Sequence, residues 1–431
     1  MKRNDIQFAR NNRFVLKNRS TLQWVVLLIS LWSILFKPIS LLSGPLSCLK
    51  YVPDGILLLL LVIALCKKRI SLKRTLLAPL CIVLTCFSLC LIVGVFRYQS
   101  AAYFLWGFRN NFRFYIAFFS FIAWLDEFDA ALWFKTMDVF FWINAGLSAI
   151  QFFFMGIKGD YLGGIFGILG ASNGFTLCFM SIVLGKSLLE AFAHKKRITD
   201  ALIKSFVAIL VATMAEMRFF FFVVVFLLVG ATILTGFSFR KMIVILMGMI
   251  ALSFGAVVLV DMFGFEGFFS LEKLWESAIQ ENYSSSGDIN RLSAIQSLIL
   301  RIGLNPIDQI FGLGLGNCDT SAFAVCNTPF FQQYGHLHYT WFVSAMLFLE
   351  TGYLGLGLYI CFFVICFVKA YRNYRARSGN VPYNQLAILV SGLCIILVFY
   401  DSSLRVESGY MMYFVLALPF IRQKSAQTLP S

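Results

Sequence analysis

The sequence predicts an all-α protein, a polytopic transmembrane bundle of about twelve helices with one large external loop that contains short amphipathic helices. Three observations predict it. Hydrophobic residues make up 59% of the 431 positions and charged residues only 13%, against about 25% charged in soluble domains. Apolar runs long enough to cross a hydrocarbon core of about 30 Å recur along the whole chain, so residues 1–431 read as one integral membrane domain. Clusters of Lys and Arg fall at alternate turns between those runs, the bias that keeps positive charge on the cytoplasmic side.

The elements follow in order. The first apolar run, Leu22 to Phe36, is preceded by Lys2, Arg3, Arg10, Arg13, Lys17 and Arg19 and followed by no small-residue cleavage site. It reads as a retained helix with a cytoplasmic amino terminus. Gly55 to Cys66 and Leu76 to Val95 flank the basic cluster Lys67, Lys68, Arg69, Lys73 and Arg74. Phe112 to Leu125, Met137 to Met155 and Gly174 to Ala193 come next, the last closing on Lys195, Lys196 and Arg197. Ala201 to Ala215 and Phe219 to Phe237 precede Arg240 and Lys241, and Met242 to Met262 leads into the loop at 262–338. Tyr339 to Val368 ends on Lys369, Arg372, Arg375 and Arg377, and Gln385 to Tyr400 and Tyr410 to Ile421 complete the count with both termini cytoplasmic.

Parity depends on Phe206 to Phe237, an apolar stretch broken only by Glu216-Met217-Arg218. As one helix it would run to about 48 Å, too long for a single pass, and would hold an Arg near the midplane at about 2.5 to 3.5 kcal/mol. Two helices with the charged triplet at an external turn resolve both problems, and they keep the Lys369 to Arg377 cluster inside. The long loop is then external. Within it, Phe268, Leu271, Leu274, Trp275 and Ala278 recur at helical spacing, as do Leu292, Ile295, Leu298, Ile299 and Ile302, both reading as amphipathic helices. Most of the eleven cysteines lie in apolar runs; Cys318 and Cys326 share the loop and fit either a bridge or two free thiols.

The net charge of +15 is orientation signal spread over these turns, which argues against a nucleic-acid partner. A minority of arginines falls outside: Arg97, Arg109, Arg113, Arg218, Arg291, Arg301 and Arg405. The planar guanidinium bonds two phosphate oxygens at once, so arginines retained where positive charge is depleted point to a bound phosphate or diphosphate. Snorkelling, or pairing with Asp308, Asp401 or Glu407, is the competing reading for Arg97, Arg301 and Arg405. His336 and His338 are the external histidines, able to take a proton from a hydroxyl near neutral pH; standing two apart, only one should face a cavity. Glu216 is a rival base or a local partner of Arg218. No HExxH, CxxC or P-loop occurs, and the glycine run Gly312 to Gly316 lacks the context of a nucleotide site, reading instead as a tight turn. Asp126 and Asp129 fall on the cytoplasmic side, away from any external metal site.

Four features in order resemble the bacterial O-antigen polymerase (Wzy-type) and O-antigen ligase superfamily. They are Gly163-Gly164-Ile165-Phe166-Gly167 leading to Asn173 at a helix start; the charged turn at Arg218; Arg291 with its amphipathic helix and then Phe311 to Gly316; and His338 followed by Glu350-x-Gly352-x-x-Gly355. The resemblance implies transfer of glycan from an undecaprenyl-diphosphate-linked donor to an acceptor, at the external face of the bacterial inner membrane, with no cofactor and no metal. It would give Arg218 and Arg291 the carrier diphosphate, with Arg109 and Arg113 as further phosphate ligands. His338 would be the base or an acceptor-positioning group, and His336, Glu216, Asn173 and Glu350 are further candidates. Membrane lipid and a chain-length regulator are the expected partners. Ligases place Asn or Ser directly after this His and reach the Glu sooner, whereas Tyr339 follows His338 here and Glu350 lies twelve residues on. That departure favours polymerase over ligase. A lipid-linked oligosaccharide flippase is the reading from another class, and the absence of two related halves argues against it.

Overall fold

The computed structural model of the protein describes residues 20–40, 44–68, 74–168, 172–193, 197–263, 288–321, 323 and 326–421. Among them the regular elements are all helices, with no β-strand. Six helical stretches are long and apolar enough to cross a membrane: Cys48–Cys66, Leu76–Phe96, Asn173–Phe192, Arg218–Thr235, Val343–Arg375 and Val381–Tyr400. Leu59, Val95, Ile233 and Leu246 remain exposed on the outer helices, as expected of side chains that meet lipid rather than water.

The helices begin with α1 (Thr21–Ser30), opened by a capping box of Ser20 with Gln23, and α2 (Trp32–Ser40), so the first predicted run is broken at Leu31. The helices α3 (Val52–Cys66), α4 (Arg74–Phe96), α5 (Ala101–Trp124) and α6 (Glu127–Phe153) follow. Two predicted starts move. The fourth run reaches back from Phe112 to Ala101, which places Arg109 within the helix that already held Arg113, instead of before it. The fifth begins at Glu127 because Asp126 and Asp129 form a reciprocal capping box there, each carboxylate accepting from the other's end of the first turn.

Next come α7 (Asn173–Phe192), α8 (Ile198–Met214), α9 (Arg218–Thr235) and α10 (Phe239–Phe263). The stretch from Phe206 to Phe237 is two helices, turning at the charged triplet as its length demanded. No glycine makes that turn. Glu216 itself takes the left-handed conformation (φ 55°), while its N–H donates to the Thr213 carbonyl at 3.1 Å and that of Met217 to Ala212 at 2.8 Å, a Schellman closure with a non-glycine at the left-handed position.

After the loop come α11 (Ala294–Ile302), α12 (Pro306–Phe311) and α13 (Pro329–Tyr334), then α14 (Val343–Arg375), α15 (Val381–Tyr400) and α16 (Gly409–Ala417). The amphipathic pattern from Leu292 to Ile302 becomes α11, which buries Ala294 and Leu298 beside Met346 and Leu349 of α14. The pattern from Phe268 to Ala278 lies outside the described residues. The helix predicted from Tyr339 starts at Val343, after a short 3-10 turn at Tyr339–Trp341, and α14 is kinked at Gly352 (φ 65°).

The buried α7 packs against α8, α9 and α15 at the centre of the bundle. At one end the basic turns meet: Tyr374 bonds the Leu234 carbonyl, and Lys241 bonds the Thr235 carbonyl while lying over the Phe192 ring. At the other end the start of α7, the α8–α9 turn, the strip from Asp288 to Arg291, the start of α14 and the α15–α16 connection come together. The candidate residues lie there.

Candidate active site

Three layers, Arg291, Tyr400 and Phe219, stack at the end of α15 beside the turn that carries Arg218. The Arg291 guanidinium lies 4.5 Å from the centroid of the Tyr400 ring, and Phe219 stacks on the same ring at 3.8 Å with planes 17° apart. Two groups that close cannot share one face, so Tyr400 is sandwiched between Arg291 and Phe219. Phe219 is the neighbour of Arg218, the first residue of α9, whose Nη2 pairs with Glu216 Oε1 at 2.8 Å. Residues far apart in sequence thus converge on the end of α15.

Asn173 extends the arrangement. As the first residue of α7 it donates from Nδ2 to Asp160 at 2.6 Å and to the Ala215 carbonyl at 3.2 Å, which ties the start of α7 to the Glu216 turn. Asp401 follows Tyr400 and lies close to Gly174. Burial pushes its carboxyl above the usual carboxylate range, opposed by hydrogen bonds from Ser403 and by the positive field of Arg291. The Asp401 carbonyl accepts from the Val343 N–H at 3.1 Å, joining α15 to the start of α14.

His338 occupies a left-handed position (φ 54°) between two 3-10 turns. Its Nδ1 lies 2.5 Å from Asp288 Oδ1 and its ring stacks on Trp341 at 4.2 Å. The Ile289 N–H donates to the Leu337 carbonyl at 3.3 Å, so the strip carrying Asp288 and Arg291 is tied to the backbone beside His338. His336 differs: it is exposed and faces the Gln333 carbonyl of its own turn at 3.0 Å.

Arg109 and Arg113 lie in a separate network. Arg109 pairs with Asp54 at 2.7 Å and stacks on Tyr51 and Trp106; Arg113 pairs with Glu407 at 3.2 Å and also bonds the Arg405 carbonyl. Arg405 in turn pairs with Asp319 at 3.1 Å, and Asn110 reaches the same carboxylate at 2.7 Å. Burial, the largest single influence, raises the Glu407 carboxyl, but the charge and hydrogen bond of Arg113, a backbone hydrogen bond and the charge of Arg109 together hold the group below its usual value. With carboxylates as partners, these arginines brace α3, α5 and the α15–α16 connection. Arg97 pairs with Asp308, one of the partners anticipated for this group; Arg405 takes Asp319 instead.

Glu350 is buried on α14, accepting from Asn111 Nδ2 at 2.7 Å and from the Gly316 N–H at 2.9 Å. It pins the glycine run onto the helix kink, a structural role away from the arginine layers. Cys318 and Cys326 are free thiols. The contributors that sequence reasoning missed are Asp288, Tyr400 and Asp160; Asp401, anticipated as a carboxylate for Arg97, Arg301 or Arg405, lies in the field of Arg291 instead. The Tyr-Asp step at the end of an apolar run was the visible signal. Compared with protein-family models and with curated protein sequences, the chain matches none.

The left-handed Glu216 gives a test that separates fold from site. A non-glycine there is strained by about 1 kcal/mol, so Glu216→Gly should melt within about 1 kcal/mol of wild type while releasing Arg218 from its carboxylate. Thermal unfolding in detergent checks it; a large loss of stability would make the carboxylate structural.

Proposed function

We propose that this protein is a polymerase of undecaprenyl-diphosphate-linked oligosaccharide repeat units, acting by glycosyl transfer at the external face of the bacterial inner membrane. The observation that carries the reading is that Arg291 and Phe219, the neighbour of Arg218, meet on the Tyr400 ring, while the strip carrying Arg291 is tied to the backbone beside His338, all at one end of a membrane bundle. A diphosphate leaving group gains charge as the glycosidic bond breaks, and fixed guanidinium groups neutralise that charge with little reorganisation. An imidazole at the same end of the bundle can accept the proton of the attacking hydroxyl. In this reading the chain crosses the membrane about twelve times with both termini cytoplasmic, its basic turns inside and the arginine layers outside.

The test is chain growth by purified protein in liposomes supplied with a lipid-diphosphate-linked repeat unit. Lengthening of the carrier-bound glycan is expected, with His338→Ala more damaging than His336→Ala. Transfer of finished glycan to lipid A core without lengthening would make the protein a ligase. Movement of the carrier across the bilayer with no glycosidic bond formed would make it a flippase.

A further inference from the structure

The geometry points to Asp288 as the positioning residue for His338: its carboxylate holds the imidazole proton on Nδ1 and leaves Nε2 as the acceptor for the proton of an incoming sugar hydroxyl. This rests on the glycosyl-transfer reading and adds to it a residue and a tautomer.

An ionised carboxylate can only accept, so the 2.5 Å contact between Asp288 Oδ1 and His338 Nδ1 requires Nδ1 to donate. The neutral ring then carries its lone pair on Nε2. The imidazole is held against turning by the Trp341 stack, at 16° between planes, and by a backbone fixed at φ 54°. Exposure separates the partners: the Asp288 side chain is 9% exposed and that of His338 43%. The acid is recessed and the base open. His336 has a neutral carbonyl at the same nitrogen, which cannot stabilise an imidazolium as a carboxylate does.

In the step this arrangement serves, the acceptor hydroxyl loses its proton to Nε2 as its oxygen bonds the anomeric carbon. The bond from that carbon to the diphosphate oxygen breaks, and its electron pair leaves on the diphosphate, where Arg218 and Arg291 meet the charge. Asp288 stabilises the imidazolium formed. The proton then passes to the released lipid diphosphate or to water, restoring the base.

The chain has three histidines, His194, His336 and His338, so 15N-histidine labelling of the full-length protein in nanodiscs resolves their tautomers. The signal missing in His338→Ala should show a protonated Nδ1 and a bare Nε2, and Asp288→Asn should abolish that pattern. Asp288→Asn should also lower the chain-growth kcat about 10²-fold with the donor KM unchanged, Asp288→Glu should recover part of it, and Asp288→Asn should add nothing in the His338→Ala background. An unaltered His338 tautomer in Asp288→Asn, or losses that multiply in the double variant, would overturn the assignment. The expected tautomer shift in a protein that never lengthens glycan would uphold the pair and sink the transfer reading instead.

Discussion

Arg291→Ala is expected to lower polymer synthesis by about 10²–10³-fold, the usual consequence of removing one fixed donor from a developing charge, while the protein still folds and reaches the membrane. The half-buried guanidinium lies on Tyr400 at the end of α15, so its removal strips a stacking contact and opens no apolar helix interface. Arg218→Ala should act similarly, because Phe219, and not Arg218, fills the other face of the Tyr400 ring. Lys at either position should restore only part of the rate: it returns the charge but not the fork that engages two phosphate oxygens together. The measurement is initial chain-growth rate at saturating donor, normalised to folded protein in the membrane. Wild-type rates in both Ala variants would remove the arginine layers from the chemistry.

Gly316→Ala should destabilise the protein by about 3 kcal/mol or more, a large effect for a single methyl group. Gly316 has φ 81°, and an added Cβ would press on the Tyr103 carbonyl oxygen and come within 2.8 Å of the Gly107 amide nitrogen. Both obstacles are backbone of α5, so neither can swing aside as a side-chain end would. The same residue donates its N–H to the buried Glu350, so any shift that relieved the clash would strain that bond as well. Thermal unfolding in detergent should show a clear fall in melting temperature. Gly303→Ala, also at a left-handed position (φ 72°) but with open space around the new atom, should fall less, since only the backbone preference opposes it. Equal loss in the two variants would assign the effect to backbone conformation alone.

The glycine run shows where sequence reading stopped short. Read as a tight turn, Gly312 to Gly316 does turn, with positive φ at all three glycines, but it is also the contact strip against which α14 kinks: Gly312 meets the backbone of Glu350 and Thr351, and Gly316 meets α5. Glu350 was visible as an acid after His338, but its partners Asn111 and Gly316 come from elements far away in sequence. Arg109 and Arg113 were visible as arginines in an unusual place. Their pairing with Asp54 and Glu407 was not, because Asp54 lies in the first turn of α3 and Glu407 on the connection to α16, both far from α5 in sequence.

By itself the sequence determined the apolar helices, the turn at Glu216-Met217-Arg218 and the basic turns of one end. Those features are sums over a local window: transfer energy per residue, helix length against bilayer thickness, and charge at the ends of a run. Tertiary structure decided which polar groups face one another: Arg291 on Tyr400, His338 on Asp288, Asn173 on the Ala215 carbonyl, Arg405 on Asp319. In a medium of low dielectric every such group must find a partner. Which partner it finds is set by the helix ends that meet at one end of the bundle, a property of the packed chain that no local window contains.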